Sequence, residues 1–309
     1  MNETISVIIP VWNEEGKIGR CLEAVFDQTI KPLEVIMVDG HSTDRTVEVA
    51  KNFPVRIFYE EYHTRAGACQ VGVNKAKGDF IAFTDADCVP ETTWLEGLIK
   101  EFGDKVVGVG GGIINIGDGI WENSINLISG TFLGSANSIQ GRFFKDKRYV
   151  NSISGCNCLY NKSHILKVGG FETGLSTAED TELNRKMLMI GKLIYTPNAI
   201  IMHNPKRGLK KYTKRMFQYG YGRAKALLWD LQVIPPILAL LLLLSLIFTS
   251  WIFLSMIGIY MIMLVVMGMI FAIHERSLIY LVSVPVVYII EHCSYTIGFW
   301  WGLLARVNA

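Results

Sequence analysis

Residues 231–304 of this chain form a nearly continuous apolar sequence. A helix of about 20 apolar residues is long enough to cross the hydrocarbon layer of a membrane. The segment divides into apolar runs over 233–254, 256–273 and 277–304, and the last of these contains the strongly polar pair Glu291 and His292. We therefore predict a transmembrane region over 231–309 with about three helices. Two spans and a re-entrant segment are the alternative.

The apolar excess lies almost entirely in this C-terminal region. The chain has 309 residues, of which 50% are hydrophobic and 19% charged, and its mean hydropathy is +0.30. A wholly soluble globular protein has a more polar composition than this. Residues 1–230 have an ordinary charge density and are numerous enough to bury a core of their own. The composition therefore indicates a globular part followed by a membrane part.

A basic segment precedes the apolar region. It contains Lys206, Arg207, Lys210, Lys211, Lys214, Arg215, Arg223 and Lys225. Apolar residues recur among these at helical spacing, so we predict a basic amphipathic helix over 206–230 that lies in the interface and contacts membrane lipids. A helix packed on the domain's own core is the alternative. Because the adjacent span accounts for the charge, we expect no nucleic-acid partner.

The charge and the cysteines also predict where the protein resides. Basic residues beside a span mark its cytoplasmic flank, so we expect a multi-pass protein of the cell membrane with its globular part in the cytoplasm. The six cysteines are scattered without a Cys-Xaa-Xaa-Cys pair, which is typical of reduced thiols rather than a zinc site. The N-terminus carries no secretory signal pattern. We therefore expect the globular part to stay inside the cell.

The first 90 residues alternate between strand and helix patterns. Apolar, β-branched runs predict strands over 6–10, 33–38, 55–59 and 80–83, with helical spacing between them. Such a pattern predicts an α/β fold with a mostly parallel sheet, whose ligands bind beyond the carboxyl ends of the strands. The glycine-rich run 106–112 is not followed by Lys-Ser/Thr. It therefore predicts close backbone approach within the sheet rather than a phosphate loop.

Two carboxylates follow the fourth predicted strand. Asp85 and Asp87 are one residue apart after the apolar run 80–83. If that run is a strand, alternate side chains face the same way, so both carboxylates project together from its C-terminal end. Hard oxygen ligands of this kind suit Mg²⁺ or Mn²⁺ bound to a nucleotide diphosphate. A polar turn that ends a buried strand is the alternative.

Taken together, four motifs in residues 5–205 resemble those of the family 2 glycosyltransferases, which have the GT-A fold. The matching stretches are 6–15, 38–46, 83–87 and 169–172, the last followed by Glu179 and Asp180. They occur in the family's order, each at a predicted strand end or loop. The resemblance implies a GT-A nucleotide-sugar-binding catalytic domain over 1–205. It also implies a UDP- or GDP-linked sugar donor.

The resemblance assigns the donor site to residues that follow the strands. It implies that Pro10, Glu14 and Asp39 surround the base and ribose, that Arg65 lies near the diphosphate, and that Asp85 contacts the ribose or the metal. Asp39 could instead be a turn residue and Arg65 a solvated surface residue. Many family members have Asp-Asp-Gly-Ser where this chain has the run 39–42, so the identity of the base stays open.

The resemblance implies a metal site as well. Asp87 is expected to bind Mn²⁺ or Mg²⁺ directly, Asp85 to assist, and His203 to be a third ligand, because many membrane-attached relatives have a histidine at that place. Neutral imidazole is a suitable ligand for Mn²⁺. A structural histidine with satisfied hydrogen bonds is the alternative for His203.

On the acceptor side, the resemblance makes Asp180 the general base. It would remove the proton of an acceptor hydroxyl, so that the oxygen attacks the anomeric carbon opposite the departing diphosphate, with inversion. The alternative is that Glu179 and Asp180 simply complement the dipole at the start of a helix. The run Cys156–Cys158 matches the family's acceptor-side strand. We interpret it as backbone near the substrate rather than as a redox pair.

The implied activity is transfer of one sugar to a lipid-linked saccharide, of the polyprenyl or dolichol type, at the cytoplasmic face. A processive synthase is disfavoured, because the run 218–222 lacks the Gln-Xaa-Xaa-Arg-Trp signature. A polyprenyl-phosphate sugar synthase is an alternative, although such enzymes usually have Gln where this chain has Val89. Its phosphate acceptor would need no base, so Asp180 favours a hydroxyl acceptor. A nucleotide-sugar-binding protein without catalysis is a further alternative.

Overall fold

A computed structural model of the chain describes residues 3–135, 143–175, 177–204, 208–248 and 250–307. The chain forms two compact units. The first contains residues 1–115 and 138–205, and the second contains residues 116–137 and 206–309. Residues 116–137 thus group with the C-terminal part, whereas the sequence assigned them to the domain 1–205. The predicted start of the basic helix, Lys206 and Arg207, lies outside the described residues.

The first unit is built on one mixed sheet. Within the described residues its strands are β1 Ile5–Val11, β2 Glu34–Asp39, β3 Arg56–Tyr59, β4 Phe80–Thr84, β5 Cys88–Pro90, β6 Val106–Asn115, β7 Arg148–Val150, β8 Asn157–Asn161 and β9 Lys192–His203. Their order is β3-β2-β1-β4-β8-β6-β9-β5, and β7 pairs with β9. The first four strands are parallel, β8 is antiparallel to both neighbours, and β6 is parallel to β9.

Helices cover both faces of this sheet. They are α1 Ile18–Phe26, α2 Thr46–Ala50, α3 Arg65–Lys75, α4 Trp94–Ile99, α7 Lys162–Lys167 and α8 Glu179–Met187. Successive residues of β1 belong to different cores: Ile9 lies in one buried cluster and Ile8 in the other. A strand with both faces buried is an uninterrupted apolar run rather than an alternating one. The predicted α/β fold class is confirmed.

The parallel strands bring the loops of interest to one edge of the sheet. Ile8 of β1 is in register with Ile36 of β2 and with Phe83 of β4. The segments after β1, β2 and β4 therefore leave the sheet on the same side. The pair of β6 and β9 ends with Asn115 opposite His203.

The glycine-rich strand β6 lies inside the sheet, between β8 and β9. A Cβ atom on Gly108 would lie 2.6 Å from the ring of Tyr160. One on Gly111 would lie 2.0 Å from the carbonyl oxygen of Ala199. Because no side chain fits at either position, the predicted close backbone approach is confirmed.

The second unit is helical. It contains α5 Ile120–Ser129, α6 Phe132–Ser135, α9 Leu209–Lys225, a 3₁₀ turn Leu231–Val233, α10 Ile234–Phe248, α11 Ser250–His274 and α12 Tyr280–Val307. Among its described residues, two helices are long and apolar enough to cross a membrane, over Ser250–His274 and Tyr280–Arg306. Only 17% of the most apolar stretch of α11 is buried within the protein. Such a helix is unlike the core helix of a soluble domain.

The first apolar run of the sequence, 233–254, does not form one helix. Among the described residues α10 ends at Phe248 and α11 begins at Ser250. Helix α10 consequently has 15 residues, and at 1.5 Å per residue it extends about 22 Å. That is shorter than the hydrocarbon layer of about 30 Å. The length of α10 is therefore more consistent with the two-span alternative.

Helix α9 is the described part of the predicted interfacial helix. Its apolar face, which includes Tyr212, Met216 and Ala224, is buried, and α9 packs against α12. The helices approach closely, because a Cβ atom on Gly298 of α12 would lie 2.0 Å from the carbonyl oxygen of Phe217. A helix of the second unit thus covers part of the face that the sequence predicts to lie against lipid, and the interfacial position of α9 stays a prediction.

This close approach can be tested with two glycines of the same unit. We expect Gly298→Ala to destabilise the protein by about 1–3 kcal/mol, because the added methyl group meets backbone rather than a flexible side chain. Gly258 of α11 has nothing within 4 Å of its Cβ position. Gly258→Ala should therefore leave the thermal midpoint unchanged or raise it slightly. Thermal unfolding in detergent measures both, and equal midpoints for the two variants would refute the tight packing.

Candidate active site

The segment Asp85–Asp87 is a turn, not a continuation of the strand. Strand β4 ends at Thr84, and the N–H of Cys88 donates to the carbonyl of Asp85 over 3.0 Å. The predicted alternation of side chains therefore stops before the first carboxylate. As a result, Asp85 and Asp87 contact different groups: the first pairs with Arg65 and the second lies beside His203.

Arg65 lies at the centre of the site. It is the first residue of α3, which begins there because the Thr64 hydroxyl caps the helix by accepting from the N–H of Gly67. Its Nη2 lies 2.5 Å from Asp85 Oδ1, and its Nη1 donates to Glu179. The Arg65 side chain is only 27% exposed. The solvated-surface interpretation of Arg65 is therefore wrong.

The same guanidinium group connects Asp85 with the proposed base. Nη2 of Arg65 also donates to the carbonyl oxygen of Gly155 at 3.3 Å, and the N–H of Gly155 donates to Asp180 Oδ2 at 3.1 Å. Asp180 also accepts from its neighbour Thr181 in the first turn of α8. Three acidic side chains thus surround Arg65 and the Gly155 backbone.

Burial and charge set the protonation of this cluster. Burial raises the pKa of Glu179, and the neighbouring Asp180 carboxylate adds to the rise, while Arg65 opposes it. Burial lowers the pKa of Arg65, but the carboxylates of Asp85 and Glu179 outweigh that effect and raise it well above its ordinary value. Burial also raises the pKa of the adjacent Cys69 thiol to about 12. The cluster therefore holds a permanent cation and a neutral thiol.

A second group of polar side chains could hold a metal ion. Asp87 Oδ2 and His203 Nε2 are 3.5 Å apart, and with Cys88 Sγ they form a set of donor atoms within 4.8 Å of one another. Burial, followed by the contact with Cys156, raises the pKa of the Cys88 thiol, which disfavours the thiolate form that binds metal ions. Thiolates also suit softer metals than Mn²⁺ or Mg²⁺. The carboxylate and the imidazole therefore fit a hard divalent cation. Asp85 is not a member of this set.

A lysine that the sequence analysis did not single out lies beside the proposed metal ligands. Lys17 Nζ is 2.9 Å from Glu14 Oε2 and 3.9 Å from Asp87 Oδ2. It immediately precedes α1, so it lies at the same sheet edge as the loop after β1. Glu14 is therefore paired with a cation.

The loops after β1 and β2 are joined by hydrogen bonds. The hydroxyl of Ser42 accepts from the N–H of Asn13 at 2.8 Å and donates to Asp39 Oδ1 at 2.6 Å. Asp39 is 1% exposed and also accepts from the N–H of Ser42, as its turn interpretation requires. Pro10 is buried in β1 opposite Val38. The structure thus brings three predicted nucleotide residues, Pro10, Glu14 and Asp39, to neighbouring strand ends.

Sequence reasoning missed two partners in this site. Glu179 pairs with Arg65 across 114 positions of the chain, and no local pattern shows such a pairing. Asn115 contacts His203 through a 2.8 Å hydrogen bond. Asn115 could have been found from the sequence, because it is a polar residue at the end of a strand. The other polar clusters of the site also follow strands.

Comparison with known proteins identifies the family. A family model described as glycosyl transferase family 2 matches residues 6–169. The chain is 29% identical to the dolichyl N-acetyl-α-D-glucosaminyl phosphate 3-β-D-2,3-diacetamido-2,3-dideoxy-β-D-glucuronosyltransferase of Methanococcus voltae, over 97% of both chains. It is 26% identical to the glycosyltransferase AglE of Haloferax volcanii, over 73% of this chain and 75% of the relative.

Solved structures share the fold. A mannosyltransferase from Pyrobaculum calidifontis, in complex with GDP-Man and Mn²⁺, superposes with a TM-score of 0.64 at 18% identity, over 97% of this chain and 88% of that one. GalNAc-T7 with UDP, GalNAc and Mn²⁺ superposes with a TM-score of 0.53 at 17% identity, over 74% of this chain and 52% of that one. The predicted resemblance to family 2 and its GT-A fold is confirmed.

The role of Arg65 as a shared counterion can be measured. Arg65→Met leaves Glu179 buried without its cation, and we expect a loss of about 3 kcal/mol in the free energy of unfolding. Adding Glu179→Gln should restore part of that loss, because the buried charge is then removed. The control is Arg45→Met, which breaks an ion pair whose two side chains are 71% and 66% exposed. This variant should leave the free energy of unfolding unchanged. Equal effects of Arg65→Met and Arg45→Met would contradict the shared-counterion account.

Proposed function

Since this chain belongs to glycosyl transferase family 2, we propose that it transfers one sugar from a nucleotide-sugar donor to a saccharide on a polyprenyl- or dolichyl-type lipid. The family and its relatives support glycosyltransferase activity. The Methanococcus voltae relative, whose name describes transfer to a dolichyl-linked N-acetylglucosaminyl phosphate, supports a lipid-linked acceptor.

The observation that carries this proposal is the position of Asp180. Its carboxylate is connected to Arg65 through the backbone of one residue, Gly155, and Arg65 in turn holds Asp85 in the turn after β4. A sugar hydroxyl must lose its proton to become a good nucleophile, and a carboxylate held near the donor can accept that proton. We assign this role to Asp180. The acceptor oxygen would attack the anomeric carbon on the side opposite the departing diphosphate. We therefore expect inversion of configuration at that carbon.

The donor is assigned to the strand ends beside this group. Pro10, Glu14 and Asp39 would surround the base and ribose, and Arg65 and Asp85 would lie near the diphosphate. Arg65 still has N–H groups beyond those that pair with its carboxylates, since a guanidinium has five. Its positive charge would then pair with the donor diphosphate as well as with the carboxylates of Asp85 and Glu179.

Asp87 and His203 would hold Mn²⁺ or Mg²⁺, with Asp85 close by. The 3.5 Å separation of their donor atoms is compatible with two ligands of one ion. Solved relatives of the same fold contain Mn²⁺. When bound, such an ion stabilises the negative charge that develops on a departing diphosphate. Lys17 would add positive charge at the same place.

We also propose that the protein resides in the cell membrane with its catalytic unit in the cytoplasm. Helices α11 and α12 support the membrane location, and the exposed lysines 210, 211 and 214 of α9 support the orientation through the positive-inside rule. In a Cys293→Ser background, an impermeant thiol reagent should label Lys211→Cys only from the cytoplasmic side of sealed vesicles. Labelling only from the opposite side would reverse the orientation.

Replacement of the base tests the reaction class. Asp180→Asn keeps the shape of the side chain but removes most of its basicity, so turnover should fall about 10²–10⁴-fold while donor affinity is retained. Calorimetry with UDP- and GDP-sugars measures affinity, and release of the nucleotide in the presence of lipid-linked acceptors measures turnover. The control is Asp104→Asn, at an exposed position, which should be as active as the unmodified protein.

Transfer by Asp180→Asn at a near wild-type rate would overturn the assignment. The base would then be another residue, or the acceptor would be a phosphate. In the second case a polyprenyl phosphate without a sugar should serve as acceptor, and the protein would be a polyprenyl-phosphate sugar synthase.

A further inference from the structure

The ends of three strands meet at His203. It ends β9, where it is in register with Asn115, the last residue of the parallel strand β6. On its other side it faces Cys88, the first residue of the antiparallel strand β5. The backbone of His203 is therefore held between two strands, and its side chain is 12% exposed.

The two ring nitrogens of His203 have different partners. Nδ1 lies 2.8 Å from Oδ1 of Asn115, whereas Nε2 lies 3.5 Å from Oδ2 of Asp87. An amide oxygen is only an acceptor, so the hydrogen bond at Nδ1 requires a proton on that nitrogen. In a neutral imidazole the other nitrogen then carries a lone pair. That lone pair is directed to the side of the ring on which Asp87 lies.

We infer that Asn115 is a positioning residue that fixes His203 in the Nδ1–H tautomer and thereby presents Nε2 as a ready metal ligand. The inference rests on the proposed metal site of the transferase. It goes further by assigning a role to Asn115 and by naming the nitrogen that binds. Ligating histidines typically donate their other N–H to an oxygen acceptor, which sets the orientation of the ring.

The carboxylate of Asp87 competes with Asn115 for the ring proton, but its oxygen lies 3.5 Å from Nε2, whereas Asn115 Oδ1 lies 2.8 Å from Nδ1. A carboxylate oxygen and an unprotonated ring nitrogen both carry lone pairs, and at 3.5 Å they repel unless a proton or a cation lies between them. Lys17 Nζ, 3.9 Å from the same carboxylate oxygen, reduces this repulsion in part. The arrangement therefore favours a cation bound by both atoms. The opposite tautomer would direct an N–H at Asp87 and would close the position to a metal ion.

The tautomer can be observed without metal, donor or activity. The full-length protein, labelled with ¹⁵N-histidine, is examined by long-range ¹H–¹⁵N correlation at about pH 9, where an imidazole is neutral. The His203 signals are identified by their loss in His203→Gln. We expect the protonated-nitrogen shift at Nδ1 and the unprotonated shift at Nε2. A protonated Nε2 would overturn the inference, whether or not the protein transfers sugars.

Metal affinity gives the second readout. Asn115→Leu removes the acceptor, and we expect its affinity for Mn²⁺ to fall about 10–100-fold, measured by the electron paramagnetic resonance signal of free Mn²⁺. Asn115→Asp keeps an oxygen acceptor for Nδ1–H and should retain the affinity. The control, Asn52→Leu, alters an exposed asparagine and should change nothing. Unchanged affinity in Asn115→Leu, with the Nδ1–H tautomer retained, would show that Asn115 does not position the ring.

Failure of this inference differs from failure of the proposed function. If the protein binds Mn²⁺ and transfers sugar but His203 is protonated at Nε2, only the role of Asn115 is lost. If the tautomer is as expected but no nucleotide sugar is consumed, the inferred geometry stands and the proposed function is lost.

Discussion

The ion pairs of Arg65 with Asp85 and Glu179 connect the two halves of the candidate active site. One carboxylate belongs to the turn after β4 and the other to the first turn of α8, so a single guanidinium holds the turn that we assign to the donor against the helix that carries Asp180. A buried carboxylate such as Glu179 is costly without a partner. The same contact that stabilises this carboxylate also fixes the distance between the donor side and the proposed base.

The metal side of the site depends on strand register. Strands β6 and β9 are parallel and end together, so Asn115 and His203 lie side by side at the sheet edge. The short strand β5 returns antiparallel to β9 and keeps the turn that holds Asp87 next to His203. The proposed ligands are thus fixed by backbone hydrogen bonds of the sheet rather than by a flexible loop. This suits a site in which a small displacement of a ligand would weaken metal binding.

Much of the fold could be predicted from the sequence, because its signals are local. Apolar β-branched runs marked the strands, and turn residues marked the segment that follows Asp39 and the one that carries Asp87. The partner of Arg65 could not be predicted, since 114 positions separate it from Glu179. Strand periodicity failed at Asp85, because where a strand ends depends on its pairing and β4 ends one residue earlier. The pattern of α9 showed an apolar face, but patterns do not say whether lipid or α12 covers it.

The proposed transfer requires the departing diphosphate and the base to lie on opposite sides of the reacting carbon, so that the acceptor oxygen attacks as the diphosphate leaves. The anomeric configuration of the first product distinguishes this displacement from one that retains configuration. The one-bond coupling between C1 and H1, measured by NMR on the newly transferred sugar, reports that configuration. We expect the configuration opposite to that of the sugar in the nucleotide donor. A product with the donor's own configuration would contradict it and would exclude direct displacement assisted by Asp180.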